Sequence, residues 1–204
     1  MDNITLSLSQ FLKATSTTSP EETISAPLEA TETTLYSMFD VIDAWRENQV
    51  AQGRTHYFSF SEWDNGHSLA DHIRTTALLV EYEAGRIDAV KQHLDEMGLA
   101  YFVIPTFATD KTAKGGKKRV DCYAIAIPLQ EALNDSDTLR AASLVIEAIE
   151  IGGITNGSYM ATYLFRFRDT GSAEFRPGKL FSRTIMEDAA TVRTNVRTWV
   201  REAK

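Results

Sequence analysis

The chain has 204 residues, of which 43% are hydrophobic and 24% charged, with only 11 glycines and 5 prolines. This composition excludes a disordered or fibrous protein, and the single cysteine excludes a disulfide framework. No segment approaches the ~20 consecutive apolar residues of a membrane span, and the first residues lack the basic start and apolar run of a signal peptide. We therefore expect a cytoplasmic protein with no membrane partner.

The net charge of -7 is distributed unevenly along the chain. Residues 1–50 contain eight acidic and two basic side chains, which leaves a net charge of only -1 for the remaining 154 residues. Residues 111–119 contain five basic side chains and no acidic one. Because such a local positive field attracts phosphates, the overall acidity does not exclude a nucleic-acid partner.

The first 34 residues differ in composition from the rest of the chain. Residues 13–34 consist mainly of Thr, Ser, Glu, Ala and Pro, with too little apolar area to offset the entropy of ordering them. We predict a flexible acidic leader over residues 1–34 and a single domain over residues 35–204. Within the leader, Ile4, Leu6 and Leu8 alternate with polar residues, which indicates either a short strand or a peptide that binds a host or replication protein.

Hydrophobic periodicity predicts alternating helices and strands in the domain. Strands alternate apolar and polar residues or run continuously apolar, and helices repeat apolar residues every three or four positions. In chain order we predict a helix over 34–52, strands over 55–60 and 77–83, a helix over 86–97, strands over 99–104 and 120–129, a helix over 138–151, a strand over 159–168 and a helix over 184–203. This order mixes hairpins with a crossover, so the predicted fold is α+β, with a mixed sheet and packed helices.

Two acidic residues end the apolar strand over 77–83. A strand has a side-chain period of two, so Glu81 and Glu83 leave the same face of the sheet. Paired carboxylates hold Mg²⁺ or Mn²⁺ together with substrate phosphates, which makes this pair a candidate metal site. The alternative is a pair of solvated surface acids.

The basic run connects two predicted strands of a hairpin. Its glycines, Gly115 and Gly116, favour a mobile, positively charged flap for the phosphates of DNA, RNA or a nucleotide. The alternative is a solvated hairpin tip without a ligand. The candidate nucleic-acid-binding residues here are Lys111, Lys114, Lys117, Lys118 and Arg119.

The last predicted helix places three basic residues on one side. Arg193, Arg197 and Arg201 follow each other at intervals of four residues. They either complement the negative end of the helix dipole or form a second surface that contacts nucleic-acid phosphates.

Several of these segments together resemble a known family over residues 55–168. The resemblance is to the primase-polymerase domains of phages and plasmids, members of the archaeo-eukaryotic primase superfamily. It is carried by Phe58 and Trp63-Asp64-Asn65-Gly66, by Ala77-Leu78-Leu79-Val80-Glu81-Tyr82-Glu83, by Leu99-Ala100-Tyr101-Phe102-Val103-Ile104-Pro105-Thr106, and by Lys118-Arg119-Val120 with Ile125-Ala126-Ile127-Pro128-Leu129.

The resemblance implies a role for several residues. Glu81 and Glu83 occupy the places of the family's Asp-x-Asp motif, whose acids hold the catalytic metal. Thr106 and Thr109 match in place a Ser-x-His motif that contacts nucleotide phosphate. The resemblance thus implies a replication-type protein of a mobile element, with catalytic acids at Glu81 and Glu83, bound Mg²⁺ or Mn²⁺, and DNA, RNA or a nucleotide as partner.

Three departures from the family pattern affect the expected chemistry. Glutamate replaces aspartate at both metal positions, the histidine is missing, and residues 155–158 contain no carboxylate where the third acid is expected. Phosphoryl transfer needs its metals and charges accurately placed, so we expect weak or absent polymerase activity from a degenerate site. The alternative function is a non-catalytic protein-interaction factor, such as a phage inhibitor or a replication accessory protein.

Overall fold

The chain folds into two antiparallel sheets and two α-helices within the residues that the structure describes. This computed structural model describes residues 5–12, 29–52, 56–64, 69–110, 118–134, 137–138, 141, 165–168, 170–182 and 184. Short 3₁₀ turns stand before and after the fifth strand. The elements are β1 (Thr5–Leu12), β2 (Glu29–Thr34), α1 (Leu35–Gln52), β3 (His56–Ser59), β4 (Ser61–Trp63), β5 (His72–Glu83), α2 (Ile87–Met97), β6 (Tyr101–Asp110), β7 (Lys118–Leu133), β8 (Phe165–Arg166) and β9 (Glu174–Arg176). The predicted α+β class is confirmed.

The strands form a four-stranded sheet in the order β2-β1-β3-β8 and a five-stranded sheet in the order β4-β5-β7-β6-β9. The ladders between these strands are antiparallel, and parallel pairing in the described part of the chain is limited to isolated bridges. A further bridge joins Thr106 of β6 to Phe167, the residue directly after β8. This bridge connects the two sheets.

The five-stranded sheet separates two hydrophobic cores. The first core lies on one face, where Leu78, Val80 and Tyr82 of β5 pack with residues of α2. The second core lies on the other face, where Ala77 and Leu79 pack against α1 and the aromatic residues of the four-stranded sheet. Strand β7, predicted over residues 120–129, alternates between the two cores: Ala124 and Ala126 lie in the second, and Ile125 and Ile127 lie in the first.

The two described helices agree with their sequence signals. Helix α1 buries Met38 and Ile42 in the second core. Helix α2 ends at Gly98, which adopts the left-handed conformation with φ of 67° and donates its N–H to the carbonyls of Asp95 and Leu94. Glycine adopts this conformation without the steric penalty of a Cβ atom, which is why the helix stops there.

Residues 29–34, at the end of the predicted leader, form strand β2. They pair with β1, for example Thr33 with Leu6 and Thr31 with Leu8. Threonine is β-branched and suits a strand, and the pairing supplies backbone hydrogen bonds that composition does not reveal. The alternative of a short strand near the amino terminus is confirmed by β1. Residues 1–4 and 13–28 lie outside the described residues, so the division into a leader and one domain stays a prediction.

The later predicted elements are described only in part. Of the helix over 138–151, residues 138 and 141 are described, and both are helical. Asn134 caps this segment, because its Oδ1 accepts the N–H of Asp137 at 2.9 Å and its carbonyl accepts the N–H of Thr138 at 2.9 Å. The strand over 159–168 is described from residue 165, and the helix over 184–203 only at residue 184. Among the helices in the described ranges, none has the length and apolarity needed to cross a membrane.

Tyr82 provides a direct test of the first core. Its hydroxyl is buried without a hydrogen-bond partner among the described residues, and burial raises the pKa of Tyr82. A buried hydroxyl without a partner destabilises the folded state, so Tyr82→Phe should raise the free energy of unfolding by about 1 kcal/mol in urea denaturation. The matched variant Tyr101→Phe should lower it by about 1 kcal/mol, because the hydroxyl of Tyr101 donates to Asp95 Oδ1 at 2.9 Å. A loss of stability in Tyr82→Phe would contradict this description of the core.

Candidate functional site

The two candidate metal ligands lie at the carboxyl end of β5. Glu81 is 2% exposed, whereas Glu83, the last residue of the strand, is exposed to solvent. Both residues alternate with Tyr82, which belongs to the first core, so they leave the sheet on the face of the second core. The pair therefore runs from the interior of the molecule to its surface along one strand.

A buried hydrogen bond connects Glu81 to β6. Thr106 Oγ1 donates to Glu81 Oε1 at 2.6 Å, and Thr106 is 0% exposed. The two residues lie on strands separated by β7, about 9.5 Å apart at the backbone. The bond passes over Cys122 and Ala124, which are the register partners of Glu83 and Glu81 on β7. Small residues at these two positions leave room for the glutamate and threonine side chains to meet above the sheet.

Cys122 contributes a small side chain to this face. It is fully buried and forms no disulfide, and its Sγ donates to the carbonyl oxygen of Val120 at 3.2 Å. Cys122 is therefore a small core residue of β7.

The β6–β7 hairpin extends beyond the end of β5. Glu83 is paired with Cys122, and β7 begins four residues earlier, at Lys118, about 13 Å further along the strand. In this extension Lys118 lies opposite Asp110, and Arg119 lies opposite Thr109. Two of the predicted basic residues thus belong to the same sheet as the glutamates, on the strand next to theirs.

Other predicted contacts lie outside the described residues. These are Lys111, Lys114 and Lys117 of the hairpin, Arg193, Arg197 and Arg201 of the last predicted helix, and residues 155–158, where the third acid was expected. The nucleic-acid contacts predicted for these six basic residues stay predictions. The same holds for the nucleotide contacts predicted for Thr106 and Thr109.

The described donors fit part of a site for a hard cation. Two carboxylates from one strand face supply oxygen ligands of the type that Mg²⁺ and Mn²⁺ prefer, and such ions commonly complete their shell with water and substrate phosphates. Within the described ranges, no group of three or more His, Cys, Asp or Glu residues is placed to hold a metal. Two carboxylates are fewer oxygen ligands than such an ion takes, so a cation bound here would need further ligands.

Sequence reasoning missed two arginines, Arg166 and Arg168, that contact strands β6 and β7. Arg168 is 7% exposed and donates from Nη2 to the Tyr123 hydroxyl at 2.9 Å and from Nε to the Thr170 carbonyl at 3.0 Å. Its Nη1 lies 3.4 Å from Asp121 Oδ2, and its guanidinium stacks 4.7 Å from the centre of the Tyr123 ring.

Arg166 stacks in the same way on Phe107, 4.3 Å from the ring centre. The backbone N–H of Arg168 also donates to the carbonyl of Pro105 at 2.9 Å, so the segment after β8 is joined to both β6 and β7. These contacts fix the base of the hairpin from the face opposite Glu81. The signal in the sequence is the alternation Phe165-Arg166-Phe167-Arg168, in which the aromatic residues are buried.

Comparison with known proteins gave one structural similarity. No family model and no curated protein sequence matches the chain. Among solved structures, the chain is similar to the AEP domain of the cyanophage S-2L primase-polymerase (PrimPol), with a TM-score of 0.43 and 16% sequence identity, over 92% of this chain and 90% of that chain. A similarity at this identity and TM-score does not identify the family of the chain.

Proposed function

We propose that the chain is a primase-polymerase-like, replication-type protein of a mobile element that binds nucleic acid or a nucleotide through a divalent cation at Glu81 and Glu83. The observation that carries the proposal is the placement of these two carboxylates on one face of β5, one buried and one at the surface, next to the hairpin strand that begins with Lys118 and Arg119. Acidic and basic groups from neighbouring strands of one sheet suit a phosphate ligand bound through a cation.

The cation would supply positive charge that neutralises phosphate oxygens at the end of β5. The residues of the chain have distinct parts in this arrangement. Glu81 provides an oxygen ligand that the hydrogen bond from Thr106 fixes on the buried face of the sheet, and Glu83 provides one that remains accessible to solvent. The basic residues of the hairpin attract the phosphate backbone and hold it near the cation.

Weak or absent polymerisation forms part of the proposal. Glutamates at both metal positions add a methylene to each ligand, and the sequence lacks both the histidine and the third acid of the related motifs. Binding of phosphate through a cation tolerates such changes better than phosphoryl transfer, whose transition state requires accurate placement of every charge.

Salt dependence tests the nucleic-acid part of the proposal. The Lys117→Ala/Lys118→Ala variant should reduce the slope of log affinity against log salt by about 1.4 for single-stranded DNA or RNA, since each lost phosphate contact removes about 0.7. Fluorescence anisotropy of a labelled oligonucleotide at several salt concentrations measures this slope.

The control for this experiment removes two positive charges elsewhere. Arg176→Ala/Lys179→Ala changes two exposed residues near the start of β6, where that strand pairs with β9. The hairpin lies at the opposite end of β6. This control variant should leave the slope unchanged. Equal slopes in the wild type and the Lys117/Lys118 variant would remove the hairpin from the proposal and favour the protein-interaction alternative.

Mn²⁺-dependent nucleotide incorporation that is lost in Glu81→Ala would show that catalysis persists.

A further inference from the structure

We infer that Thr106 is a positioning residue for the cation ligand Glu81, and that its hydroxyl holds this carboxylate in place instead of contacting the nucleotide. The inference rests on the proposed function, because it assigns a role within the same cation site. It changes the role of Thr106 from the phosphate contact that the motif resemblance implies.

The hydrogen bond to Glu81 argues against a direct contact between Thr106 and a phosphate. Thr106 is 0% exposed, and its hydroxyl lies against a carboxylate instead of facing a ligand. A threonine hydroxyl has a single proton to donate. In Thr106 this proton is directed to Glu81 Oε1 at 2.6 Å.

The hydrogen bond limits how Glu81 can move. Thr106 Oγ1 lies 2.6 Å from Glu81 Oε1, well within hydrogen-bond distance. A glutamate side chain has three rotatable bonds, and the hydrogen bond restricts its terminal oxygens to one orientation. Thr106 itself is held in the sheet by its pairing with Cys122 and by the bridge to Phe167. The orientation of Glu81 is thereby tied to the backbone of β6.

The geometry also explains why this role belongs to Thr106 and not to a neighbour on β7. The residues between the two strands, Cys122 and Ala124, are small and leave the path between Glu81 and Thr106 open. Partners of this type, which hydrogen-bond to a metal ligand without touching the metal, typically change metal affinity 10- to 100-fold when removed.

The test compares the Mn²⁺ affinity of Thr106 variants by isothermal titration calorimetry without nucleotide. Thr106→Val keeps the shape of the side chain but removes the hydroxyl, and should weaken Mn²⁺ binding about 10-fold or more. Thr106→Ser keeps the hydroxyl and should bind Mn²⁺ within about twofold of the wild type. In the Glu81→Gln background, Thr106→Val should produce no further loss, because its effect passes through Glu81.

The outcomes separate this inference from the proposed function. If Glu81→Gln and Glu83→Gln weaken Mn²⁺ binding but Thr106→Val does not, the positioning role is wrong and the cation site stands. If the wild type does not bind Mn²⁺, or if neither glutamate variant changes its affinity, the proposed function fails and the inference with it. Circular dichroism checks that each variant is folded, and Thr106→Ala, measured at low temperature, replaces Thr106→Val if the valine variant is unfolded.

Discussion

Gly178→Ala should destabilise the protein by about 3 kcal/mol, because the new methyl group has no space. A Cβ atom at this position would lie against the carbonyl carbon of Leu99 and only 2.6 Å from the Ala100 nitrogen. These are backbone atoms, which cannot turn away as a flexible side chain can. The segment is held close by two backbone hydrogen bonds of 2.8 Å, from Lys179 N to Gly98 O and from Ala100 N to Lys179 O. Relief of the clash would break this pairing.

Gly85→Ala is the matched control for this substitution. A Cβ atom at Gly85 would have no heavy atom within 4 Å, so the change should alter stability by less than about 1 kcal/mol. Thermal unfolding measures both variants, and a loss of 3 kcal/mol corresponds to a decrease in Tm of about 6–12 °C for a chain of this size. Equal Tm values for the two alanine variants would contradict the close approach of residues 178–181 to the start of β6.

Glu83→Gln should weaken Mn²⁺ binding by about 100-fold, and Glu81→Gln by a similar factor. Each change replaces a charged oxygen ligand with a neutral amide, which a hard cation binds much more weakly. Glutamine has nearly the same shape as glutamate, and at position 81 its carbonyl oxygen still accepts the hydrogen bond from Thr106. The fold should therefore survive, and the loss of affinity should report on charge and ligation.

Glu131→Gln controls for the general loss of one negative charge. Glu131 is exposed on β7, near the opposite end of that strand from the hairpin. Its substitution should leave the Mn²⁺ affinity within about twofold of the wild type, because an exposed charge far from the site is screened by salt. A similar loss in all three variants would show that Mn²⁺ binds through diffuse surface charge.

The long strands and the described helices were predictable because their signals are local. The strand that ends in Glu81-Tyr82-Glu83 and the alternation of β7 both follow from the period-two side-chain pattern, and Gly98 marks the end of α2. Strands β4 and β9 were missed, since segments of three residues are too short to show a period. The pairing of β1 with β2 was missed because it depends on a partner strand and not on local composition.

The candidate site was predictable in its residues but not in its contacts. The sequence places Glu81 and Glu83 on one face, but it does not show that one is buried and the other exposed. Thr106 was identified from motif position, whereas its hydrogen bond to Glu81 spans 25 residues and passes over a third strand. Arg168 was missed because its partners on β7 lie about 45 residues earlier in the chain. Contacts of this kind depend on strand order, which periodicity does not determine.

The location of a bound cation tests the central claim most directly. Crystals of the protein grown with Mn²⁺ should show an anomalous difference peak within about 2.5 Å of carboxylate oxygens from both Glu81 and Glu83, beside the end of β5. The Glu83→Gln crystal, prepared in the same way, should lack this peak. A Mn²⁺ peak elsewhere on the molecule, with neither glutamate among its ligands, would contradict the proposed site.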